Sequence, residues 1–289
     1  MRHMPDQPSI ATAPAQAPSD AQIVGTLSFV LVCKNNAKTI ERTIASIAPL
    51  ARELRGEVIA LDNGSTDETL AILNRHGCRV VPTVWQGYIK TKQLALESSR
   101  SQWTFCIDSD ESLEPWLIDE IRRAVTRPAP GVVGYRINRR MWYAGAWLKH
   151  AWQPEWRLRL VSRGVARWGG IDPHDKLEVI PGMGQVADLN REAVLRHDSM
   201  ESVADFLSRQ VRHSRTSAEG LYAKGERSSP WRMVTSAVGA FAKQMVLKSA
   251  WRDGWRGWVA AMCMGIAAGM KHAMLVEMDE TNSSTRPRD

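Results

Sequence analysis

Between Leu27 and Val125 the chain alternates four times between a short apolar run and a stretch of helical apolar spacing. Leu27 to Cys33 reads as a strand. Ile40, Ile44, Ile47 and Leu50 then mark one face of a helix from Ala37 to Leu54. Glu57 to Leu61 is the second strand, and a helix capped by Ser65 or Thr66 runs to about His76, with Gly77 as its stop. Strand Arg79–Val84, helix Tyr88–Ser99, strand Trp103–Ile107 and helix Pro115–Val125 complete the series, which Pro128-Ala129-Pro130-Gly131 breaks. Strands that alternate with helices form a parallel sheet with right-handed crossovers, so the fold class is α/β. No G-x-G-x-x-G follows the first strand and no Walker lysine motif is present. A dinucleotide Rossmann domain and a P-loop NTPase therefore both lose ground.

Two of these strands end in acids. Asp108-Ser109-Asp110-Glu111 places three carboxylates within four residues, directly after the fourth apolar run. The carboxyl edge of a parallel sheet is where open α/β folds bind ligands. Like charges held that close repel, and a divalent cation with oxygen ligands, Mg²⁺ or Mn²⁺, relieves the repulsion. The alternative is a strand end followed by the cap of the helix at Glu114-Pro115, and the tetrapeptide alone leaves both open. Asp62, with Asn63-Gly64-Ser65-Thr66-Asp67 behind it, reads by itself as a turn and a cap. Its interest lies in sharing a sheet edge with Asp108 and Asp110.

The second half changes character. Val132–Asn138 and Trp156–Val161 alternate as strands, Trp142–Trp156 is rich in tryptophan, and Gly169–Val179 reads as a loop carrying His174-Asp175. From Ser199 the chain turns helical, and Arg209 to Lys271 holds eleven Lys/Arg against three Asp/Glu, with Trp231, Trp251, Trp255 and Trp258 interleaved. A net charge of +7 points to an anionic partner. No nucleic-acid module is recognisable, which leaves a phosphorylated substrate or an anionic lipid surface. The nearest approach to a spanning helix, Trp258–Met270, falls short of the roughly 18 residues a bilayer needs. An interfacial anchor is therefore expected, with a packed hairpin or a dimer contact as the alternative. Cys33 and Cys106 lie inside apolar runs and read as buried thiols, suiting a reducing cytoplasm. Residues 1–26, rich in Ala, Pro, Gln and Ser and without a secretory apolar run, are expected to be a disordered tail. A catalytic domain is expected over 27–198, a basic helical region over 199–278, and a second tail over 279–289.

With these pieces in order, Val30 to Glu111 resembles the family 2 glycosyltransferases. The resemblance rests on the first strand with Lys34-Asn35, on Leu61 through Thr69, and on Ile107 through Glu111. Gly87 with Lys92 and Ala95-Leu96, Pro154-Glu155-Trp156 leading to Arg159-Leu160, His174-Asp175, and Trp251 through Gly257 extend it. They are similar to the lipopolysaccharide core β-glucosyltransferase-like subgroup, and the likeness covers about Leu27 to Met278.

The resemblance implies a GT-A fold, a nucleotide-diphosphate sugar donor with UDP as first choice, Mg²⁺ or Mn²⁺, and a single inverting displacement. It implies that Asp62 contacts uracil or ribose, that Asp108 contacts ribose or the metal shell, and that Asp110 holds the metal. Lys92 and Arg159 would steady the diphosphate, with solvated surface as the equal alternative. Asp175 would be the base that deprotonates the acceptor, with Glu111 second, and His174 and Trp156 would meet the acceptor. Trp142, Trp147, Trp152 and Trp168 share that region as candidates for a sugar platform or as core anchors. Two positions depart from the subgroup: Asp175 stands where Glu is usual, and Asn36 where Glu is common. The implied acceptor is a lipopolysaccharide-core or other cell-envelope glycan, met peripherally at the inner face of the cytoplasmic membrane. A lipid-linked or exopolysaccharide acceptor, or a degenerate GT-A scaffold subunit, is the alternative.

Overall fold

The computed structural model describes residues 25–171 and 174–284. The alternating half forms β1 (Leu27–Cys33), α1 (Ala37–Glu53), β2 (Val58–Asp62), α2 (Thr69–Arg75), β3 (Arg79–Pro82), α3 (Tyr88–Glu97) and β4 (Trp103–Cys106). A short strand β5 (Glu111–Leu113) precedes α4 (Pro115–Thr126). Then come β6 (Val132–Tyr143), β7 (Ala146–Trp147), β8 (Trp156–Ser162), β9 (Ala166–Ile171), β10 (His174–Val179), β11 (Gln185–Asp188) and β12 (Val194–His197). The chain ends in α5 (Val203–Ala223), α6 (Pro230–Ala242) and α7 (Trp255–Ser284), with a π turn at Lys243–Leu247 and a 3-10 turn at Ala250–Asp253 between the last two.

The main sheet has the order β3-β2-β1-β4-β8-β6-β12-β5. Strands β1 to β4 are mutually parallel, and β8 is antiparallel to both β4 and β6. The period of two along β1 divides the core. Leu27, Phe29, Leu31 and Cys33 face the layer of Ile40, Ile44 and Ile47 from α1. Val30 and its neighbours on β2 face Ala95 of α3 and Trp168 and Leu177 of the β9–β10 hairpin. Each fully buried large side chain contributes roughly 1.5–3 kcal/mol. Cys33 registers against Asp62, and Val30 against Cys106, so β1, β2 and β4 end at one edge.

Several expectations change. Helix α2 begins at Thr69, not at Ser65 or Thr66, because those residues tie two loops together. Ser65 Oγ accepts from Asn35 N at 3.0 Å, Asn35 Oδ1 accepts from Thr66 N at 2.7 Å, and Asp67 Oδ2 accepts from Ala37 N at 3.1 Å. Glu111 belongs to β5, which pairs antiparallel with β12. The segment read as a loop at Gly169–Val179 is largely the β9–β10 hairpin. Helix α7 is continuous past Met270, and Trp255–Asn282 is long and apolar enough to cross a membrane by length and composition. A third of its most apolar window (33%) is buried within the protein, where it packs on α5 and α6. A third core cluster joins Tyr143, Leu148 and Ala151 to Phe206, Met245 and Ala260, so the helices share packing with the loop after β6.

Candidate active site

A cavity of 1480 Å³ opens where β1, β2 and β4 end. Lys34, Asn36 and Asn63 line one wall, and Asp108 and Asp110 form its floor. Asp175, Glu155, Trp156 and Trp152 line it from the second half, while Arg209 of α5 and Met264 of α7 reach it from the helices.

Asp108 sits in a nest of cations. Its Oδ1 lies 2.9 Å from Lys92 Nζ, and its Oδ2 lies 2.5 Å from Arg159 Nη2. Burial raises this carboxyl, but Arg159 and Lys92 overcome that and hold it well below the usual carboxylate range. Each carboxylate oxygen of Asp108, expected to share the metal with Asp110, thus has a cationic partner in this structure.

Asp110, two residues on, points elsewhere. Its Oδ2 lies 3.5 Å from His197 Nε2, and both side chains line the cavity. The backbone explains the meeting. Strand β12 pairs His197 with Glu111, and Asp198 N donates to Asp110 O at 2.9 Å. Burial raises the Asp110 carboxyl, and His197 brings it below its ordinary value. A carboxylate oxygen and an imidazole nitrogen this close, open to a cavity, suit one divalent cation. Among the described residues no cluster of three or more His, Cys, Asp or Glu side chains forms. A cation here would thus complete its shell from a ligand's phosphate oxygens and water, as Mg²⁺ and Mn²⁺ do in phosphoryl sites.

Glu111, the second candidate for the acceptor's base, is sealed from the cavity in this structure. It is 0% exposed, and its Oε1 is held by Arg159 Nη2 at 2.6 Å and Arg139 Nη1 at 3.1 Å. Its Oε2 accepts from Asp108 N at 3.0 Å. The side chain therefore fixes the acidic corner from behind. Arg159, expected at the donor, is likewise buried and bridges Asp108 to Glu111. Arg139 extends the network to Glu155, which Arg157 also engages. Burial raises Glu155, and Arg139 and Arg157 bring it down to about 2.

Asp175 stands on β10, with Oδ2 2.9 Å from the same Lys92 Nζ that holds Asp108. Lys92 packs over the Trp168 ring at 4.8 Å. Burial lowers its ammonium, and Asp108 and Asp175 raise it above its usual value. One lysine thus links the floor of the cavity to the carboxylate above it. Strand β10 begins at His174, whose side chain lies outside the described residues.

The other acidic strand end is different. Asp62 Oδ2 accepts from Gly64 N and Ser65 N, both at 3.0 Å, and Oδ1 accepts from Ser65 Oγ at 2.5 Å. The residue is buried and does not line the cavity, whereas Asn63 does. The carboxylate, expected to contact a nucleobase or ribose, ties the turn that presents Asn63 in this structure.

Of the candidate platform tryptophans, Trp152, Trp156 and Trp168 line the cavity. Trp142 and Trp147 instead meet edge to face at 5.0 Å, with Arg196 over the Trp142 ring. Sequence reasoning missed His197, Arg139 and the role of Glu155. For His197 a weak signal existed, the apolar pair Val194-Leu195 followed through Arg196 by a histidine at a strand end. For the other two there was none, because their partners are brought together by sheet order.

The family model described as "Glycosyl transferase family 2" matches residues 28–175. Among curated proteins, the lipopolysaccharide core biosynthesis glycosyltransferase LpsC of Rhizobium meliloti (strain 1021) is 26% identical over 262 residues, covering 87% of this chain and 92% of its own. An uncharacterized glycosyltransferase of Rickettsia bellii (strain RML369-C) is 26% identical over 272 residues, covering 91% of this chain and 90% of its own. Among solved structures, glucosyl-3-phosphoglycerate synthase from Mycobacterium tuberculosis, in complex with Mn²⁺, UDP and phosphoglyceric acid, is 22% identical. It covers 60% of this chain and 70% of that one, with a TM-score of 0.42.

Proposed function

The chain belongs to glycosyl transferase family 2 and has its GT-A fold, and from that premise we propose that it moves a sugar from UDP to a lipopolysaccharide-core or related envelope glycan, with inversion at the anomeric carbon. That it is a glycosyltransferase using a nucleotide-sugar donor follows from the family. The observation that carries the rest is the split of the acidic corner into a cation-neutralised Asp108 and an open Asp110–His197 pair. The LpsC relative supports the choice of acceptor. The choice of uridine follows the resemblance of the strand-end motifs.

In this reading Asp110 and His197 hold Mg²⁺ or Mn²⁺. When bound, the ion supplies positive charge where the departing diphosphate becomes more negative. Lys92 lies next to that position and adds a fixed cation. Asp175 faces the cavity from β10 and accepts the proton of the attacking hydroxyl. Its ion pair with Lys92 at 2.9 Å keeps it aimed until the acceptor arrives. Trp152 and Trp156 offer apolar surface to the acceptor sugar. The protein works at the inner face of the cytoplasmic membrane.

The test is transfer and slow hydrolysis of UDP-sugars with Mn²⁺ or Mg²⁺. Asp175→Asn is expected to keep UDP affinity and lose transfer by roughly 10²–10⁴-fold. Normal transfer by that variant would remove Asp175 from the mechanism. Tighter stabilisation of the fold by a different nucleotide in a thermal-shift screen would overturn the choice of uridine.

A further inference from the structure

The helices after Ser199 carry a large apolar surface that the protein itself leaves uncovered. Trp231, Val234 and Val238 of α6 are exposed, and so are Trp255, Met262 and Ile266 of α7. Between the helices Val246 and Leu247 are 72% and 76% exposed, with Trp251 beside them.

These stripes share one side of the hairpin. Gly265 approaches Ala237 and Phe241, and Gly269 approaches Ala237 and Met233, so the helices run antiparallel and close. On an antiparallel pair, positions one after or three before a contact residue fall on the same side of both helices. Val234 and Val238 stand so relative to Ala237, and Met262 and Ile266 so relative to Gly265. Lys243 and Arg252 are exposed beside the hairpin tip. Tryptophan with aliphatic side chains, bordered by cations, is the composition of a helix pair lying in a headgroup layer.

The inner side of the same hairpin grips the cavity wall. Asp253 accepts from the backbone N–H of Lys149, His150 and Ala151 at 3.0, 2.9 and 2.8 Å. Lys248 Nζ donates to Gln153 O at 2.9 Å, Gln244 Oε1 accepts from Trp152 N at 3.1 Å, and Arg256 donates to Ala144 O. Segment 144–153 leads directly to Trp152 and Gln153, which line the cavity.

We propose that the outer face of the α6–α7 hairpin seats on an anionic phospholipid bilayer, and that its tip thereby holds the acceptor wall of the cavity at the lipid surface. This rests on the reading of the cavity as a glycosyltransferase site and narrows its acceptor to a glycan carried on a membrane-embedded lipid. Charge complementarity selects the occupant: the segment from Arg209 to Lys271 is strongly basic, which favours an anionic leaflet over a second copy of an equally basic surface.

Flotation with mixed phosphatidylethanolamine–phosphatidylglycerol vesicles, without donor, tests the surface. The full chain should float. Val246→Ser/Leu247→Ser/Trp251→Ser should lower vesicle partition about ten-fold or more. That variant should keep UDP-sugar hydrolysis in vesicle-free buffer, which also shows that it folds. Lys243→Glu/Arg252→Glu should weaken binding to these vesicles and leave hydrolysis intact. Unchanged flotation of the triple variant would overturn the proposal. So would a dimer in sedimentation velocity that the triple variant splits without losing vesicle binding, since the face would then be a self-interface. Hydrolysis fails independently of flotation if the catalytic reading is the one at fault.

Discussion

Strand β2 ends on Asp62, strand β4 runs within two residues to Asp108 at the same sheet edge, and the two ends are built in opposite ways. Asp62 is satisfied by its own turn, through Gly64 N, Ser65 N and Ser65 Oγ. Asp108, Asp110 and Glu111 are satisfied by Lys92 of α3, Arg139 of β6, Arg159 of β8 and His197 of β12. A carboxylate held by local backbone amides serves chain geometry. A set held by side chains from four distant elements is a charged site that exists only in the folded protein. Within that set a further division appears, because Glu111 is sealed while Asp110 opens on the cavity.

The sealed residue gives the largest expected effect. Removing one partner of a buried ion network leaves uncompensated charge and costs roughly 3–5 kcal/mol. Glu111→Ala should therefore lower the urea midpoint by an amount of that order, with loss of activity following loss of structure. A stable and inactive Glu111→Ala would instead argue that Glu111 meets substrate.

Asp110 should behave the other way. Asp110→Asn is expected to fold normally and to lose about 10²–10³-fold in metal-dependent transfer, the size seen when one charge-stabilising group is removed from a site. Titration of Mn²⁺ by electron paramagnetic resonance should show weakened binding in Asp110→Asn and in His197→Ala. Mn²⁺ binding that is unchanged in both variants would move the cation away from this pair.

The network also predicts a pH dependence. Glu155 titrates at about 2 in the folded protein against an ordinary value of 4.5, because Arg139 and Arg157 outweigh its burial. A lowered carboxyl stabilises the fold fully above its unfolded value and loses that contribution as pH falls toward the folded one. Stability should therefore drop by roughly 2–3 kcal/mol between pH 5 and pH 2 from this residue. Glu155→Gln should flatten that part of the profile when urea midpoints are compared across pH. A profile that is equally steep in the variant would place the acid sensitivity in other carboxylates.

How much of this was legible follows the same division. The alternating first half, the burial of β1 and the ligand edge could be read, because period-two and helical spacing are local signals. The motif Asp62 to Thr69 was visible as well, but its hydrogen bonds to Asn35, Asn36 and Ala37 were not, and they delay α2 to Thr69. The Asp110–His197 meeting depends on β12 lying between β6 and β5, an order no spacing in the chain announces. The β9–β10 hairpin was hidden by Gly169-Gly170, which opens a segment that read as loop.

The smallest effect is the sharpest test of the contrast between the two strand ends. Asp62→Asn keeps one oxygen for the amides of Gly64 and Ser65 and replaces the other with a donor facing Ser65. Loss of one such hydrogen bond costs on the order of 1 kcal/mol. If Asp62 serves only the turn, the variant should lose about that much stability and bind UDP within roughly two-fold of the parent, a difference under about 0.5 kcal/mol. If the carboxylate also reaches the nucleotide, UDP affinity should fall in addition by about ten-fold, the 1.4 kcal/mol of a lost polar contact. Thermal unfolding and UDP titration on the same preparation separate the two, because the first reads the turn and the second reads the nucleotide contact.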